Sequence, residues 1–422
     1  MIAWITENLG TAAWDRVMNV TGAIRLLDIR DLVDREGNAP SGVRAKIDQA
    51  LEWLRQGEKV VVCCDYAMSR SNAIAAGILS SYELIELDEA IRRVIAATGE
   101  ARIRVEMLST VRKAVGRASL NASVRGTRTG CVLVTGGSGF IGTSVVADLK
   151  KNYQVLAPTT LELDLVRGAA PLDLLVREGS VDTIIHLASP RIYTSNESMG
   201  TTLVMLKNVL DVCGGNGLSL TFVSGWQIYT GYRARELRAD ESLAPCPGDT
   251  YGYSKLLCET LIERYSERHG IPCLILRSSA VYGRGSDRPK FMWNFLQKAL
   301  RNAEIITHRY ANGHPCLDLL HIDDLRRAIT AAIDQRIKGV INLGTGTGTS
   351  TADIAMRIVS LMGSRSQIRH AEVDGYASNI VMDSGRAAKV LDWRPEITVD
   401  QGLEDLVNFV RSSKSYVRKG TG

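Results

Sequence analysis

The chain has 422 residues, with 51 Lys and Arg, 46 Asp and Glu and a formal net charge of +5. A chain of this length is too long to fold around one ordinary hydrophobic core, which favours two domains, one of about 120 residues and one of about 290. The mild charge and the lack of a long like-charged block argue against a nucleic-acid or membrane tail. The N-terminal residues lack a secretory signal pattern, and no apolar run is long enough to span a membrane.

The chain contains eight cysteines and six histidines. Cys131, Cys258 and Cys273 fall in apolar strands or helix faces, which is typical of buried thiols and not of a disulfide framework. We therefore expect a protein of the reducing cytoplasm. The cysteines and histidines lack metal-ligand spacing, so the sequence predicts no metal site.

The N-terminal elements alternate between apolar strands and periodic helices. Strands are predicted at residues 22–30 and 59–64 with a helix between them, and further helices at roughly 71–80, 86–97 and 104–115. A small, polar and aperiodic stretch follows, which indicates a linker. The predicted domains are residues 1–118 and 130–422, joined by residues 119–129.

After the linker, strands and helices alternate repeatedly, a pattern typical of a parallel sheet covered by helices on both faces. Beyond Gly283 the pattern loosens, and we expect a smaller lobe formed mainly by residues 284–415. The predicted fold is α/β throughout: a small α/β domain followed by a Rossmann-type, doubly wound domain.

The first site candidate is the segment C-D-Y-A-M-S-R-S, which follows the strand K-V-V-V-C-C. Backbone N–H groups and a helix dipole converge on an anion in such a loop, and a thiol placed there ionises more easily. We expect Cys64 to attack phosphorus, Arg70 to grip phosphate oxygens and Ser71 to donate to the departing sulfur. An upstream aspartate would protonate the leaving alcohol, with Asp34 the first choice and Asp31 the second.

With this context, residues 1 to about 115 resemble the dual-specificity branch of the cysteine-dependent protein phosphatases. The family usually has His before the nucleophile, where Cys63 stands, and Gly three residues after it, where Ala67 stands. The missing histidine bears on the acidity of the thiol, and alanine would strain the loop if its φ were positive. An inert loop that only binds phosphate is the alternative.

The second site candidate is the loop T-G-G-S-G-F-I-G after the strand C-V-L-V. Gly136, Gly139 and Gly142 permit a tight turn, close approach of a pyrophosphate and close helix packing. Downstream, Y-G-Y-S-K puts Tyr251 and Lys255 on one helix face. A nearby ammonium favours a phenolate, so the tyrosine could exchange a proton with a sugar hydroxyl while nicotinamide exchanges hydride at the same carbon.

Residues 130 to about 415 resemble the extended short-chain dehydrogenase/reductase family, the NAD-dependent epimerase/dehydratase group acting on nucleotide sugars. The resemblance runs through ordered matches: His186–Ser189 (H-L-A-S), Met199–Thr202, Pro272–Gly283, Leu319–Leu325, Ile341–Gly346 and Leu391–Pro395.

This resemblance implies the roles of individual residues. Asp164 would meet the adenine, Leu187 and Ala188 would line the nicotinamide ribose path, and Lys255 would hold ribose hydroxyls. The full set implied for the cofactor is Gly136, Gly139, Phe140, Ile141, Gly142, Asp164, Leu165, Leu187, Ala188, Tyr251 and Lys255. Ser189 and Arg284 would contact the substrate, and His321 would be structural. From their positions, Arg277 at a strand end and Arg284 just after Gly283 could approach the diphosphate of a nucleotide sugar, or could equally well be salt-bridged surface residues. A homodimer formed through helices near 198–213 and 251–268 is also implied.

One departure affects the chemistry. Gly225 replaces the family's Ser or Thr four residues before Tyr229, leaving Ser224 or Thr250 to polarise the substrate, or impairing catalysis. Trp226-Gln227 replaces the Asp-Glu pair of 4,6-dehydratases, so elimination ranks below epimerisation or keto reduction.

Cofactor choice is weakly encoded, since residues 157–160 (A-P-T-T) supply neither a carboxylate for NAD nor an arginine for NADP. The missing acid tilts the expectation slightly toward NADP. We expect a bifunctional enzyme that oxidises or epimerises a nucleotide-linked or phosphorylated sugar and dephosphorylates a related metabolite. The alternatives are a protein phosphatase with an NAD(P)-sensing second domain, or an oxidoreductase whose thiol loop is only an anchor.

Overall fold

The computed structural model describes residues 2–18, 24–116, 130–190, 194–286 and 289–412. The predicted linker, residues 119–129, lies outside the described residues. The chain divides into two compact units. The first comprises Met1–Cys131, Thr160–Asp182 and Val204–Leu218, and the second comprises Val132–Thr159, Thr183–Leu203 and Ser219–Gly422.

In its described residues, the N-terminal part of the first unit contains four strands and four α-helices. The strands are β1 (Ala3–Trp4), β2 (Leu9–Ala13), β3 (Ile24–Asp28) and β4 (Lys59–Cys64). The helices are α1 (Pro40–Arg55), α2 (Arg70–Glu83), α3 (Leu87–Thr98) and α4 (Val105–Val115). The predicted strands and helices are all present, whereas β1 and β2 were not predicted.

The sheet of this part has the order β1-β2-β4-β3, with β4 parallel to both β2 and β3. β4 is buried from Val60 to Cys64, as expected of an apolar, β-branched run at the centre of a parallel sheet. Helix α2 is buried from Ser71 to Ser80 because its small side chains admit close neighbours. A Cβ on Gly77, for example, would lie 2.8 Å from Val111 Cγ1. This packing fixes the loop between β4 and α2.

Thirteen further strands follow. They are β5 (Cys131–Thr135), β6 (Gln154–Leu156), β7 (Val181–His186), β8 (Ser219–Gly225), β9 (Leu237–Ala239), β10 (Cys273–Ser278), β11 (Ala280–Tyr282), β12 (Ile305–Arg309), β13 (Cys316–His321), β14 (Gly339–Leu343), β15 (Gly348–Ser350), β16 (Ile368–Glu372) and β17 (Ile380–Met382) in the described residues.

Nine further α-helices occur in the described part of the chain. They are α5 (Phe140–Leu149), α6 (Ala170–Glu178), α7 (Asn196–Asn216), α8 (Thr250–His269), α9 (Lys290–Leu300), α10 (Ile322–Asp334), α11 (Thr351–Met362), α12 (Gly385–Val390) and α13 (Val399–Ser412).

The principal sheet has six strands in the order β14-β10-β8-β7-β5-β6, and β7, β8, β10 and β14 pair in parallel. The chain runs from β5 outward to β6 and then returns to β7 on the other side of β5. Ligands of open α/β sheets bind beyond the carboxyl ends of the strands at such a reversal. The predicted Rossmann-type sheet is therefore present, and its topology directs attention to the ends of β5, β7 and β8.

The region beyond Gly283, where a smaller lobe is expected, has elements that fall into two groups. α9, α11 and α13 form one apolar cluster beside a sheet of order β11-β13-β17-β9, and β12 pairs with β16. Between them, α10 packs with the core of the main sheet and β14 extends that sheet next to β10. The segment thus serves two cores, because short apolar runs do not specify which sheet they join.

One property of the helices bears on membranes. No helix in the described ranges is both long enough and apolar enough to cross a lipid bilayer.

Two candidate active sites

Cys64 ends strand β4, and helix α2 begins six residues later at Arg70. The residue is 2% exposed, and its Sγ lies 3.3 Å from Ser71 Oγ. Burial on its own raises the pKa of this thiol, but hydrogen bonds from the Ser71 hydroxyl and from the backbone N–H groups of Ser71, Tyr66 and Ala67 outweigh it. The net pKa is below the ordinary value. The loop therefore favours a negative charge on sulfur.

Cys63 provides a contrast one residue earlier. Alternate residues of a strand face opposite sides, and Cys63 belongs to a different apolar cluster from Cys64. Burial, followed by the nearby charges of Asp28 and Cys64, raises the pKa of Cys63 to about 12. The two adjacent thiols thus differ in chemistry because only one meets the N–H groups of the loop.

The guanidinium of Arg70 is bound by other groups of the protein. It donates to the carbonyl of Leu32 at 2.9 Å and forms an ion pair with Asp65. Its side chain is largely buried, so few conformations compete with this one. The arginine thus joins the thiol loop to the segment that carries the candidate acids.

Of the two candidate acids, Asp34 is hydrogen-bonded to a residue of the thiol loop. Its Oδ1 accepts from Ser69 Oγ at 2.6 Å, and its Oδ2 lies 3.6 Å from Arg104 Nε. Asp31 instead pairs with Lys46 at 3.1 Å and is mostly exposed. The preference for Asp34 as a proton donor remains a prediction, now with a specific position beside Ser69.

Ala67 has φ of +54°, in the left-handed region. This conformation suits glycine and costs an alanine about 1–2 kcal/mol. The strain expected for an alanine at this position of the loop is present.

The glycine loop closes tightly between β5 and α5. Gly136 has φ of +71°, and a Cβ there would lie 2.7 Å from the backbone nitrogen of Ala188. A Cβ on Gly142 would lie 2.7 Å from Gly137 Cα, so the first turn of α5 rests on the loop backbone. Phe140 and Ile141 open that turn, where helix N–H groups have no intrahelical acceptor. The residues present fit an anionic pyrophosphate.

Tyr251 and Lys255 lie in the first half of α8, whose start is capped by Asp249 accepting from Gly252 N at 2.7 Å. Lys255 is 8% exposed and donates to the Val223 carbonyl at 2.9 Å. Its Nζ lies 5.6 Å from the centroid of the Tyr251 ring. Helix α8 therefore holds the pair beside strand β8, near its carboxyl end.

At the end of β8, Gly225 provides no side-chain hydroxyl where the family pattern has Ser or Thr. Ser224 is 3% exposed, and its Oγ has no hydrogen-bond partner among the described residues. At Gly225 the space next to Cα is filled by the side-chain amide of Gln227. Sequence reasoning overlooked Gln227, because it considered that position only for the carboxylate it lacks.

Two arginines considered for the substrate diphosphate are already paired. Arg277 is 5% exposed and binds Glu259 at 2.7 Å and Tyr229 Oη at 2.8 Å, so its role is structural. Arg284 pairs with Asp405 and is more than half exposed. It lines a cavity of about 780 Å³ together with His321, whose Nδ1 accepts from Asp323 N as the cap of α10.

Three residues expected to contact the cofactor or the substrate belong neither to the glycine loop nor to the Tyr251–Lys255 pair. Asp164 accepts from its own neighbour Val166 at 3.0 Å, and the Leu165 carbonyl accepts from Asn208 at 2.7 Å; both belong to the first compact unit. Ser189 is exposed just after Ala188, in the second unit. Their roles toward a cofactor or substrate stay predictions.

Comparison with known proteins agrees with this geometry. Residues 132–344, just over half of the chain, match the NAD dependent epimerase/dehydratase family. The chain is 27% identical to a putative UDP-glucose 4-epimerase of Methanocaldococcus jannaschii, over 67% of this chain and 99% of that protein.

Solved structures give the same result. A Bacillus cereus UDP-glucuronic acid 4-epimerase in complex with UDP-glucuronic acid and NAD aligns with TM-score 0.58 and 26% identity, covering 67% of this chain and 99% of that one. RMD from Pseudomonas aeruginosa, complexed with NADPH, shares the fold with TM-score 0.59 and 20% identity, covering 66% and 98% of the two chains. The protein belongs to the NAD dependent epimerase/dehydratase family.

Proposed function

We propose that the chain beyond residue 130 oxidises or epimerises a nucleotide-linked sugar with an NAD(P) cofactor. The observation that carries this proposal is the Tyr251–Lys255 pair held at the end of β8, on the sheet whose β5 leads into the glycine loop. A related protein is described as a putative UDP-glucose 4-epimerase, and another was solved with UDP-glucuronic acid and NAD. A nucleotide sugar is therefore the substrate class we favour.

In this proposal the protein binds, orients and moves protons. The loop at Gly136 and the first turn of α5 would hold the pyrophosphate through backbone N–H groups. Nicotinamide would supply hydride exchange when bound. Tyr251 would take the proton of a sugar hydroxyl as its carbon gives up hydride, and would return a proton to the same oxygen when hydride adds to either face of that carbon. The buried ammonium of Lys255 would stabilise the phenolate.

The residues after β8 bear on the reaction type. A 4,6-elimination needs a carboxylate base near the sugar, and Trp226 and Gln227 provide none at the positions where the family's dehydratases carry Asp and Glu. Epimerisation or simple oxidoreduction of the sugar, and not elimination, is accordingly our proposal.

We propose a slight preference for NADP over NAD. Residues 157–160 lack the carboxylate that binds a ribose 2′-hydroxyl. Related proteins have been solved with either cofactor.

The test uses the purified full chain with UDP-glucose, UDP-glucuronic acid and dTDP-glucose, each with NAD or NADP, followed by separation of the sugar products. The proposal expects an epimerised or oxidised sugar with at least one substrate. Unchanged sugars under every condition would contradict it.

We propose a second function for the N-terminal domain: hydrolysis of a phosphate monoester by Cys64. The observation that favours it is the lowered pKa of a buried thiol that receives several loop N–H groups. A cradle that stabilises a thiolate suits a phosphate oxyanion as well. In-line attack would break the P–O bond and form a phosphocysteine, Asp34 would protonate the leaving alcohol, and water would then release phosphate.

Trapping of phosphocysteine separates this proposal from a loop that only binds phosphate. We expect a covalent phosphate on Cys64 after rapid acid quenching with an aryl phosphate. If no covalent phosphate forms and Cys64→Ser hydrolyses the aryl phosphate at an unchanged rate, we would conclude that the loop only binds phosphate. Tight NAD(P) binding without sugar turnover would instead favour a phosphatase with a cofactor-sensing domain.

We also propose a homodimer that uses helix α8. Tyr253 and Leu257 are 52% and 44% exposed and lie four residues apart on one face of that helix. Large exposed apolar side chains at this spacing suit a helix–helix interface. Sedimentation velocity of the full chain should give twice the monomer mass.

A further inference from the structure

Gly225 is not a glycine for conformational reasons. Its φ of −162° and ψ of 169° are extended angles that any residue adopts. A Cβ built there, however, would overlap Gln227 Oε1 and lie 3.6 Å from Gln227 Cδ and from the Ser278 carbonyl oxygen. The missing side chain therefore provides room, and the Oε1 end of the Gln227 side-chain amide occupies that room.

This amide lies where the two neighbouring strands β8 and β10 end. Ser278 pairs with Gly225 in the parallel ladder, and the short 3-10 helix Trp226–Tyr229 begins at once. That helix returns the Gln227 side chain toward the position that a side chain on residue 225 would fill. A hydroxyl side chain on residue 225 and the side-chain amide of Gln227 therefore cannot both occupy this space.

The backbone of Gln227 is close to the helix that carries the tyrosine. A Cβ on Gly252 would lie 2.5 Å from the backbone carbonyl oxygen of Gln227, so the first turn of α8 packs directly on the main chain of this residue. Lys255, one turn later, donates to Val223 two residues before Gly225. Gln227 is half-buried, and within the described part of the chain its side-chain amide forms no hydrogen bond. It retains two N–H donors for a ligand.

We infer that the Gln227 side-chain amide donates to the sugar oxygen on which Tyr251 acts, in place of the family's hydroxyl. The inference rests on the proposed sugar oxidoreduction. As the carbinol loses its hydride to the nicotinamide and its O–H proton to the Tyr251 phenolate, a carbonyl forms and its oxygen accepts the Gln227 N–H. An amide can stabilise developing negative charge but takes up no proton at neutral pH, so Tyr251 alone carries the proton.

The inference makes Gly225 and Gln227 an exchangeable pair, which a double-mutant comparison tests. Gln227→Ala should lower kcat about 10²- to 10³-fold, the usual effect of losing one oxyanion donor, with a smaller change in KM. Gly225→Ser alone should also be impaired, because its Cβ displaces the amide. Gly225→Ser/Gln227→Ala should recover to within about tenfold of the unaltered protein, since the serine then supplies the donor.

Gln227→Glu separates chemistry from packing because it keeps the size of the side chain. A carboxylate offers no N–H or O–H, so activity should be low at neutral pH and rise as the pH falls and the acid protonates. Thermal unfolding of each variant checks the fold. Gln227→Ala with unaltered kcat, or Gln227→Glu with the parent pH profile, would overturn the inference while leaving the proposed function intact. An unaltered protein without turnover would overturn both.

Discussion

Lys255 holds its ammonium 5.6 Å from the centre of the Tyr251 ring while it donates to the Val223 carbonyl at the end of β8. A lysine fixed by the backbone in this way cannot swing out to solvent. The positive charge therefore stays beside the tyrosine, at the sheet edge where a parallel α/β fold binds its ligands.

Tyr251→Phe should remove the proton carrier and leave the ring in place. We expect kcat to fall about 10²- to 10⁴-fold, the usual contribution of a general acid–base group, with cofactor affinity little changed. Tyr253→Phe is the matched control, since Tyr253 is exposed on the same helix. Equal loss in both variants would count against the assignment of Tyr251.

Alkylation should distinguish the two adjacent thiols. The pKa of Cys64 is lowered by its hydrogen bonds despite burial, whereas that of Cys63 is raised to about 12. Thiolate reacts and thiol does not, so iodoacetamide should modify Cys64 first, with a pH midpoint below the ordinary thiol range. Peptide mass spectrometry across a pH series measures this, and preferential labelling of Cys63 would be the contrary result.

Inorganic phosphate should compete for the Cys64 loop. An anion in the cradle shields the sulfur and repels its charge, so phosphate should slow Cys64 alkylation with a saturating dependence. Chloride at matched ionic strength is the control. Identical slowing by both salts would mean general screening and no binding site.

Ala67→Gly should stabilise the protein. Ala67 adopts φ of +54°, and relief of this strain is worth about 1 kcal/mol. Ala96→Gly, at an exposed position of α3, should instead cost about 0.5–1 kcal/mol through helix propensity. Urea unfolding of the N-terminal transition compares the two, and a loss of stability in Ala67→Gly would show that the loop does not need a left-handed residue.

Gly136→Ala should weaken dinucleotide binding about tenfold or more. Its new Cβ would meet the Ala188 backbone at 2.7 Å and distort the loop. Gly270→Ala is a matched control, because Gly270 also has a positive φ, of +65°, but open space around its Cα. Titration calorimetry with NAD and NADP should separate the variants, and equal affinities would argue that the glycine loop does not contact the cofactor.

Much of the fold followed from the sequence where one local pattern was strong. The run K-V-V-V-C-C predicted β4 because buried parallel strands are continuous apolar runs, and α8 was predicted within one residue of its observed ends, Thr250 and His269. β1 and β2 were missed because a two-residue strand and L-G-T-A-A carry little periodicity. The second sheet was missed because three of its four strands, β9, β11 and β17, have only three residues each and are defined only by their pairing.

The two candidate sites were likewise predicted only where the pattern is local in sequence. Spacing alone located Cys64 and Arg70, and Tyr251 and Lys255, since each pair is close in sequence. It did not reveal that Asp34 bonds to Ser69 across 35 positions, nor that Gln227 fills the space beside Gly225. Both relationships depend on how loops return to a strand end, which no local pattern encodes.

The most direct test is the absorbance of nicotinamide in the NAD- or NADP-loaded protein after a UDP-sugar is added. The account predicts partial reduction of the cofactor together with a new sugar isomer or keto sugar, both lost in Tyr251→Phe. An oxidised cofactor and an unchanged sugar with every substrate, in a protein that binds both, would contradict it.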